Sequence, residues 1–353
     1  MAKDEVEALI GMLSPLLRSL EALGYIGRYL HPPDFAAVMQ AAGTPDADLR
    51  EALPALADWP ERLTGVRDRL QVTGEEALAA FDELRAATDV RSVYRALRHT
   101  PRAQEALFPL ADGLDPVSRY FLDSDSRKDG SRQEVLDTAT AREDVGVFHL
   151  ANATGARGGY SLYVPEDYTP GRPWPLVMAL HGGGGHGRAF LWSWLRDARG
   201  QGAILAAPTS VGDTWALQGA DVDTPNLLRI LAEIQGTYSL DPERLLLTGM
   251  SDGGTFSYVS GLEPGSPFTH LAPIASAFHP MMAQMADPGR MKGLPIHVTH
   301  GVLDWMFPVD MARQAQAALT SAGAQVTYRE IDDLSHTYPR EVNLEILRWL
   351  HAR

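Results

Sequence analysis

The 353-residue chain contains no cysteine. That absence excludes disulfides, a thiol nucleophile, iron–sulfur clusters and cysteine-ligated zinc. Positive charge is also scarce: 31 Lys and Arg stand against 45 Asp and Glu, for a formal net charge of −14. Such a balance repels phosphate backbones and anionic bilayers, so neither nucleic acid nor a membrane is expected as a partner. No uninterrupted apolar run reaches the ~18 residues of a membrane span. The amino terminus, MAKDEVEALIGMLSPLL, places acids where a signal peptide needs a basic region. A cytoplasmic location is the expectation. HExxH and other paired-histidine spacings are missing, so no metal is expected, and no cofactor of another kind. Internal repeats are missing too. What remains is an ordinary globular composition, 45% apolar and 22% charged, in a length that suits two domains or one large one.

The first 140 residues are rich in helical patterns. Val6, Leu9, Ile10, Leu13, Leu16, Leu17, Leu20 and Leu23 recur at three- and four-residue steps, the signature of one apolar helix face. Pro15 is expected to kink or restart that helix. Further helical stretches fall near 34–40, 48–56, 75–87, 90–97 and 103–110, separated by HPPD, GTPD, DWPE and HTPR. The polar run DSDSRKDGSR at 123–132 reads as a linker or exposed loop. After Val145 the rhythm changes. Short β-rich runs at 159–164, 176–180, 203–207, 245–248, 271–275, 296–299 and 326–331 alternate with amphipathic stretches at 227–238, 311–322 and 342–350. That alternation predicts an α/β fold with a mostly parallel central sheet and helices on both faces, preceded by an all-helical region. The expected division is a helical domain over 1–140 and a catalytic domain over 141–353. In such sheets a site lies beyond the carboxyl ends of the strands.

One predicted strand runs into Gly249-Met250-Ser251-Asp252-Gly253-Gly254, with a helix following. This is G-x-S-x-G in strand–turn–helix context, where the small residues admit a sharp turn and the helix aims free N–H groups at developing negative charge. The pentapeptide alone equally suits a serine in an ordinary turn. A second strand ends in His181-Gly182-Gly183-Gly184-Gly185-His186-Gly187. Bare backbone N–H groups there suit an oxyanion hole completed by the N–H of Asp252. The same glycines satisfy G-x-G-x-x-G, but the next strand ends Ala206-Ala207-Pro208-Thr209-Ser210 without the acid a dinucleotide ribose needs. Asp304 follows the strand 296–299, with Asp310 as its competitor, although Asp310 also suits a helix N-cap. His336 follows the strand 326–331 in a polar loop. The chain order Ser251, Asp304, His336 is the nucleophile–acid–base order of one particular fold.

With those residues in view, the runs LHGGGG, DPERLLLTGMSDGG, HGVLDWMFPV and SHTYP make residues 145–353 similar to the α/β-hydrolase superfamily. Within it they resemble the phospholipase/carboxylesterase group and the poly(3-hydroxybutyrate) depolymerase and feruloyl-esterase-like group. The resemblance implies Ser251 as nucleophile, His336 as general base and Asp304 as its orienting acid. It also implies Gly183 and Asp252 as oxyanion donors, with Gly184 assisting, and a small-molecule ester as substrate. A serine peptidase of the same fold and a non-catalytic binding scaffold are the alternatives. The methionine-rich stretch from Met281 reads either as an adaptable pocket wall or as core filling. Trp305, beside Asp304, with His279 and Met281, are the candidate substrate contacts; His186 is a further one, and Trp192, Trp194 and Trp215 read better as packing. The helices of 1–140 have no counterpart in minimal members of these groups. Their apolar faces need burial, as a layer on the hydrolase half or in a homo-oligomer contact.

Overall fold

A computed structural model describes residues 3–140 and 142–352, with side chains from Glu7 onward. The chain divides into two compact units, Met1–Leu122 and Asp123–Arg353.

The first unit is helical: α1 (Lys3–Tyr29), α2 (Phe35–Ala42), α3 (Asp46–Ala52), α4 (Thr64–Ala86), α5 (Val90–Leu97), α6 (His99–Leu107) and α7 (Asp115–Tyr120). Helix α1 runs unbroken through Pro15, so the expected restart is absent; the proline costs it one i→i−4 hydrogen bond. Its buried stripe is Leu9, Met12, Leu13, Leu16, Leu20, Leu23 and Ile26, whereas Ile10 is 59% exposed. The side chain of Val6 lies outside the described residues. By length and composition Glu7–Tyr29 is apolar enough to cross a membrane, with mean hydropathy 1.2, although polar residues interrupt every apolar run within it. It is amphipathic nonetheless, and packs on α3 and α4, whose Leu49, Leu70, Ala77, Phe81 and Leu84 are buried. Asp46 is buried here too, gripped by both Nη atoms of Arg85 at 2.5 and 2.9 Å and by Arg50 Nε at 3.3 Å.

The second unit opens with two short helices, α8 (Ser124–Asp129) and α9 (Ser131–Thr138), where a linker or exposed loop was expected. Asp123 caps α8 through the N–H groups of Asp125 and Ser126 and accepts from Gln201 Nε2 at 3.1 Å. Arg132 forks onto Asp167 at 2.8 Å and donates to the carbonyl of Arg199. These bonds place the unit boundary before Asp123 rather than after residue 140.

Eight strands follow: β1 (Gly146–Leu150), β2 (Tyr160–Val164), β3 (Trp174–Leu180), β4 (Ile204–Pro208), β5 (Leu240–Met250), β6 (His270–Ile274), β7 (Pro295–Gly301) and β8 (Gln325–Ile331). They form one sheet in the order β1-β2-β4-β3-β5-β6-β7-β8. The β1–β2 and β2–β4 pairs are antiparallel and the rest parallel. β3, β4 and β6 are buried at every position, as strands covered on both faces must be. The helices are α10 (Gly187–Gln201), α11 (Asp223–Thr237), α12 (Asp252–Gly261), the short α13 (Met281–Met285) and α14 (Pro288–Met291), α15 (Val309–Ser321) and α16 (Glu341–His351). Leu176, Met178 and Leu180 of β3 join a core with α11, α12 and α15. The alternation of a strand turns Val177 and Ala179 to the other face, where α10 packs on β2, β3 and β4 and meets α16. This is the α/β-hydrolase architecture that the sequence predicts.

Candidate active site

Ser251 stands between the end of β5 and the start of α12 with φ 56° and ψ −120°. A non-glycine residue at positive φ is strained and needs its surroundings to hold it. Here the Ser251 N–H donates to Ile274 O at 3.0 Å, and its carbonyl accepts from Thr255 N at 2.8 Å. Gly253 permits the turn, because a Cβ there would lie 2.4 Å from the Leu180 carbonyl oxygen.

His336, in the loop after β8, places Nε2 3.1 Å from Ser251 Oγ and Nδ1 2.9 Å from Asp304 Oδ2. The carboxylate only accepts, so Nδ1 carries the proton and Nε2 is left to accept from the serine hydroxyl. The second Asp304 oxygen accepts from the N–H groups of Met306 and Phe307 at 2.9 and 2.8 Å. Burial raises the Asp304 pKa, but the His336 and Phe307 hydrogen bonds prevail and leave the carboxyl below its ordinary range. All three residues are buried. The loops that carry Asp304 and His336 are joined directly: Val302 N donates to Ile331 O and Leu303 N to Leu334 O, at 2.9 and 3.0 Å.

The glycine-rich segment after β3 forms a turn closed by Gly185 N on Gly182 O at 3.0 Å. Gly183 and Gly184 occupy its centre, and Gly184 takes φ +64°. The turn's hydrogen bond uses the Gly185 N–H, while among the described residues the Gly183 N–H has no backbone partner outside the strands, and the first N–H groups of α12 have no intrahelical partner. Gly183 abuts Asp252, whose Oδ2 lies 2.6 Å from where a Cβ on that glycine would stand. Buried His181 fixes the base of the turn. Its Nδ1 donates to Gly182 O at 2.7 Å, and its Nε2 accepts from Ser210 N at 3.1 Å. Burial pushes its pKa down to about 4, so the ring stays neutral and its tautomer is set.

The remaining candidates divide. Trp305 is brought to the site, edge-to-face with His336 at 6.2 Å and 44% exposed, while Phe307 packs on the same imidazole at 5.3 Å. His279 and Met281 lie exposed beyond β6. The His279 ring accepts from the Met281 N–H at 3.2 Å, and among the described residues its polar atoms touch no member of the Ser251–His336–Asp304 group. His186 caps α10 and holds Ala156 O. Trp192, Trp194 and Trp215 are buried, Trp215 stacking on Phe256. Asp310 lies on the first turn of α15 after the cap residue Pro308, exposed and paired with Arg313. The methionines divide as well: Met291 fills core, Met281 and Met285 are exposed. A groove of about 670 Å³ beside them, lined by Pro280, Ala283, Met291, Gln314 and Ala318, contains neither Ser251 nor His336. Among the described residues no group of three His, Asp or Glu is placed to hold a metal.

Three positioning residues escaped the sequence reading. Arg157 donates to the carbonyls of Gly185 and Gly212 and to the Ser210 hydroxyl. Asp223 accepts from Val211 N and Ala216 N at 2.7 and 2.8 Å. Thr214 donates from Oγ1 to Asp252 Oδ2 at 2.6 Å. Arg157 and Thr214 lie in loops without periodicity, and Asp223 looks like an ordinary helix-start acid.

Residues 223–351, which include Ser251, Asp304 and His336, match the phospholipase/carboxylesterase family. A probable feruloyl esterase C of Aspergillus terreus is 25% identical over 158 residues, 43% of this chain and 56% of its own. Its counterpart in Aspergillus oryzae is 27% identical over 179 residues, 48% and 63% of the two chains. The chain therefore spans little more than half the length of the curated relatives it matches. Among solved structures, a thermostable esterase aligns with TM-score 0.49 at 22% identity, over 60% of this chain and 63% of that one. The chain has the α/β-hydrolase fold and, over the residues matched, is similar to the phospholipase/carboxylesterase family and to the feruloyl esterases.

Proposed function

We propose that the chain is a serine carboxylesterase working through Ser251, His336 and Asp304. The observation that carries the reading is the continuous Ser251 Oγ–His336 Nε2, His336 Nδ1–Asp304 Oδ2 contact at 3.1 and 2.9 Å, presented on a strained strand-to-helix turn. Ser251 Oγ attacks the ester carbonyl as its proton passes to His336 Nε2. Asp304 stabilises the imidazolium, and the N–H groups of Gly183 and Asp252, with Gly184 assisting, hold the tetrahedral oxyanion. The imidazolium then protonates the departing alcohol, leaving an acyl-enzyme, which water hydrolyses by the same route reversed. Each lost oxyanion donor costs about 3 kcal/mol of transition-state stabilisation. The relatives' names direct attention to hydroxycinnamate esters, with Trp305 as the apolar wall nearest His336.

The test is labelling by a fluorophosphonate, followed by p-nitrophenyl esters from C2 to C12, methyl ferulate and p-nitroanilides. Labelling of Ser251 and hydrolysis of esters but not anilides are expected, and both are lost in Ser251→Ala with the fold retained. Activity of Ser251→Ala within tenfold of the parent removes the nucleophile assignment. Faster cleavage of anilides makes the protein a peptidase.

A further inference from the structure

Asp252 has a backbone role in this scheme that asks nothing of its side chain, yet the structure places a carboxylate there with care. Thr214 Oγ1 donates to Oδ2 at 2.6 Å and fixes its direction. The same oxygen fills the space over Gly183, 2.6 Å from the position of an added Cβ. The carboxylate thus lies against Gly183, one of the two proposed oxyanion donors, and belongs to the residue that supplies the other. It is half-buried, and no Arg, Lys or His among the described residues pairs with it. Arg157, the cation of this group of loops, is spent on the Gly185 and Gly212 carbonyls and the Ser210 hydroxyl.

An unpaired charge partly withdrawn from water acts strongly over a few ångströms and fades beyond a Debye length, about 8 Å at physiological salt. Within that radius lie the scissile carbonyl and the first few atoms attached to it. We infer that the Asp252 carboxylate selects substrates by charge, rejecting esters that carry an anion within a few bonds of the carbonyl and admitting neutral or cationic ones. The inference rests on the esterase reading above. Whatever the charge costs the oxyanion falls on every ester alike, so it cancels in a ratio of two substrates.

The experiment compares kcat/KM for methyl butyrate, monomethyl succinate and methyl 4-(trimethylammonio)butyrate, followed by acid release in a pH-stat. The parent is expected to prefer the neutral to the anionic ester, and Asp252→Asn to narrow that ratio by at least about tenfold. The cationic ester shifts in the opposite sense. Asp252→Ser supplies the same comparison if Asp252→Asn does not fold. Asp310→Asn removes one exposed charge from α15 and is expected to leave the ratio unchanged. The pair methyl decanoate and monomethyl sebacate, whose anion is distant, is expected to respond little to Asp252→Asn. The inference is overturned if the ratio in the position-252 variants stays within twofold of the parent, or if Asp310→Asn narrows it equally. If the parent hydrolyses none of these esters and is not labelled by a fluorophosphonate, the esterase reading itself falls.

Discussion

In the Met1–Leu122 unit the buried carboxylate of Asp46 is met by two guanidinium groups; in the Asp123–Arg353 unit the buried carboxylate of Asp197 is met by the amide of Asn343 at 3.1 Å and, among the described residues, by no ion pair. Burial raises both pKa values. At Asp46 the hydrogen bond and charge of Arg85 reverse the shift and leave the group below its ordinary range, whereas Asp197 is pushed up to about 7. The backbone divides the same way. Among the described residues, the non-glycine positions at positive φ, Ala151, Ser251 and Ala275, all belong to the second unit, as do the buried histidines 181, 270, 297, 300 and 336. Strain and poorly compensated charge burial gather in the unit that carries the proposed site. The helical unit neutralises what it buries.

The sharpest test of that contrast is Asp304→Asn, expected to lower kcat by ~10³–10⁴ by favouring the wrong imidazole tautomer, while Asp310→Asn leaves kcat unchanged; reversed effects in steady-state assays make Asp310 the acid. Next comes Asp197→Asn. Because the folded pKa lies above the unfolded value near 3.8, the folded state keeps a proton that the unfolded chain releases. Stability from this group therefore falls as pH rises from about 4 to about 7 and is level above that. The amide should remove the fall, gaining up to about 4 kcal/mol at pH 8 and almost nothing at pH 4. Melting curves at the two pH values check it, and equal shifts at both refute the assignment. In the helical unit Arg85→Met leaves the Asp46 carboxylate buried with only Arg50, at an expected cost of about 3 kcal/mol, read by denaturation. Fluorophosphonate labelling of Ser251 is expected to survive. The smallest effect concerns the boundary. A fragment starting at Asp144 lacks the Asp123–Gln201, Arg132–Asp167 and Asp125–Arg348 bonds and should melt roughly 5 °C below one starting at Asp123; equal melting would make α8 and α9 ornamental.

Seven of the eight strands were legible because buried strands are continuous apolar runs, and the residues of the proposed site, Ser251, Asp304 and His336, each follow one. Strand β1 was not. Its GVFHL is half-exposed at the sheet edge, so neither face leaves a strong pattern. Helices α8 and α9 read as solvated because DSDSRKDGSR is polar; their order comes from bonds to Asp167, Gln201 and Arg348, which no local window contains. The backbone partners of His186 and His279 were hidden for a related reason: they lie in the fold of the loops, not in the local sequence. Conversely, nothing in sequence distinguishes Arg157 from a surface arginine, since its partners are two carbonyls and a hydroxyl in two other loops.

The fit of the Asp252 carboxylate over Gly183 has a consequence for how this chain can vary through descent. A side chain gained at position 183 meets the tip of the Asp252 side chain and pushes its carboxylate off the Thr214 bond unless position 252 is smaller. A reduction at 252 in turn removes Thr214's acceptor and leaves the glycine uncovered. The two positions are thus tied through one carboxylate and the hydroxyl that holds it. A relative carrying a larger residue at the first position should therefore carry a smaller one at the second.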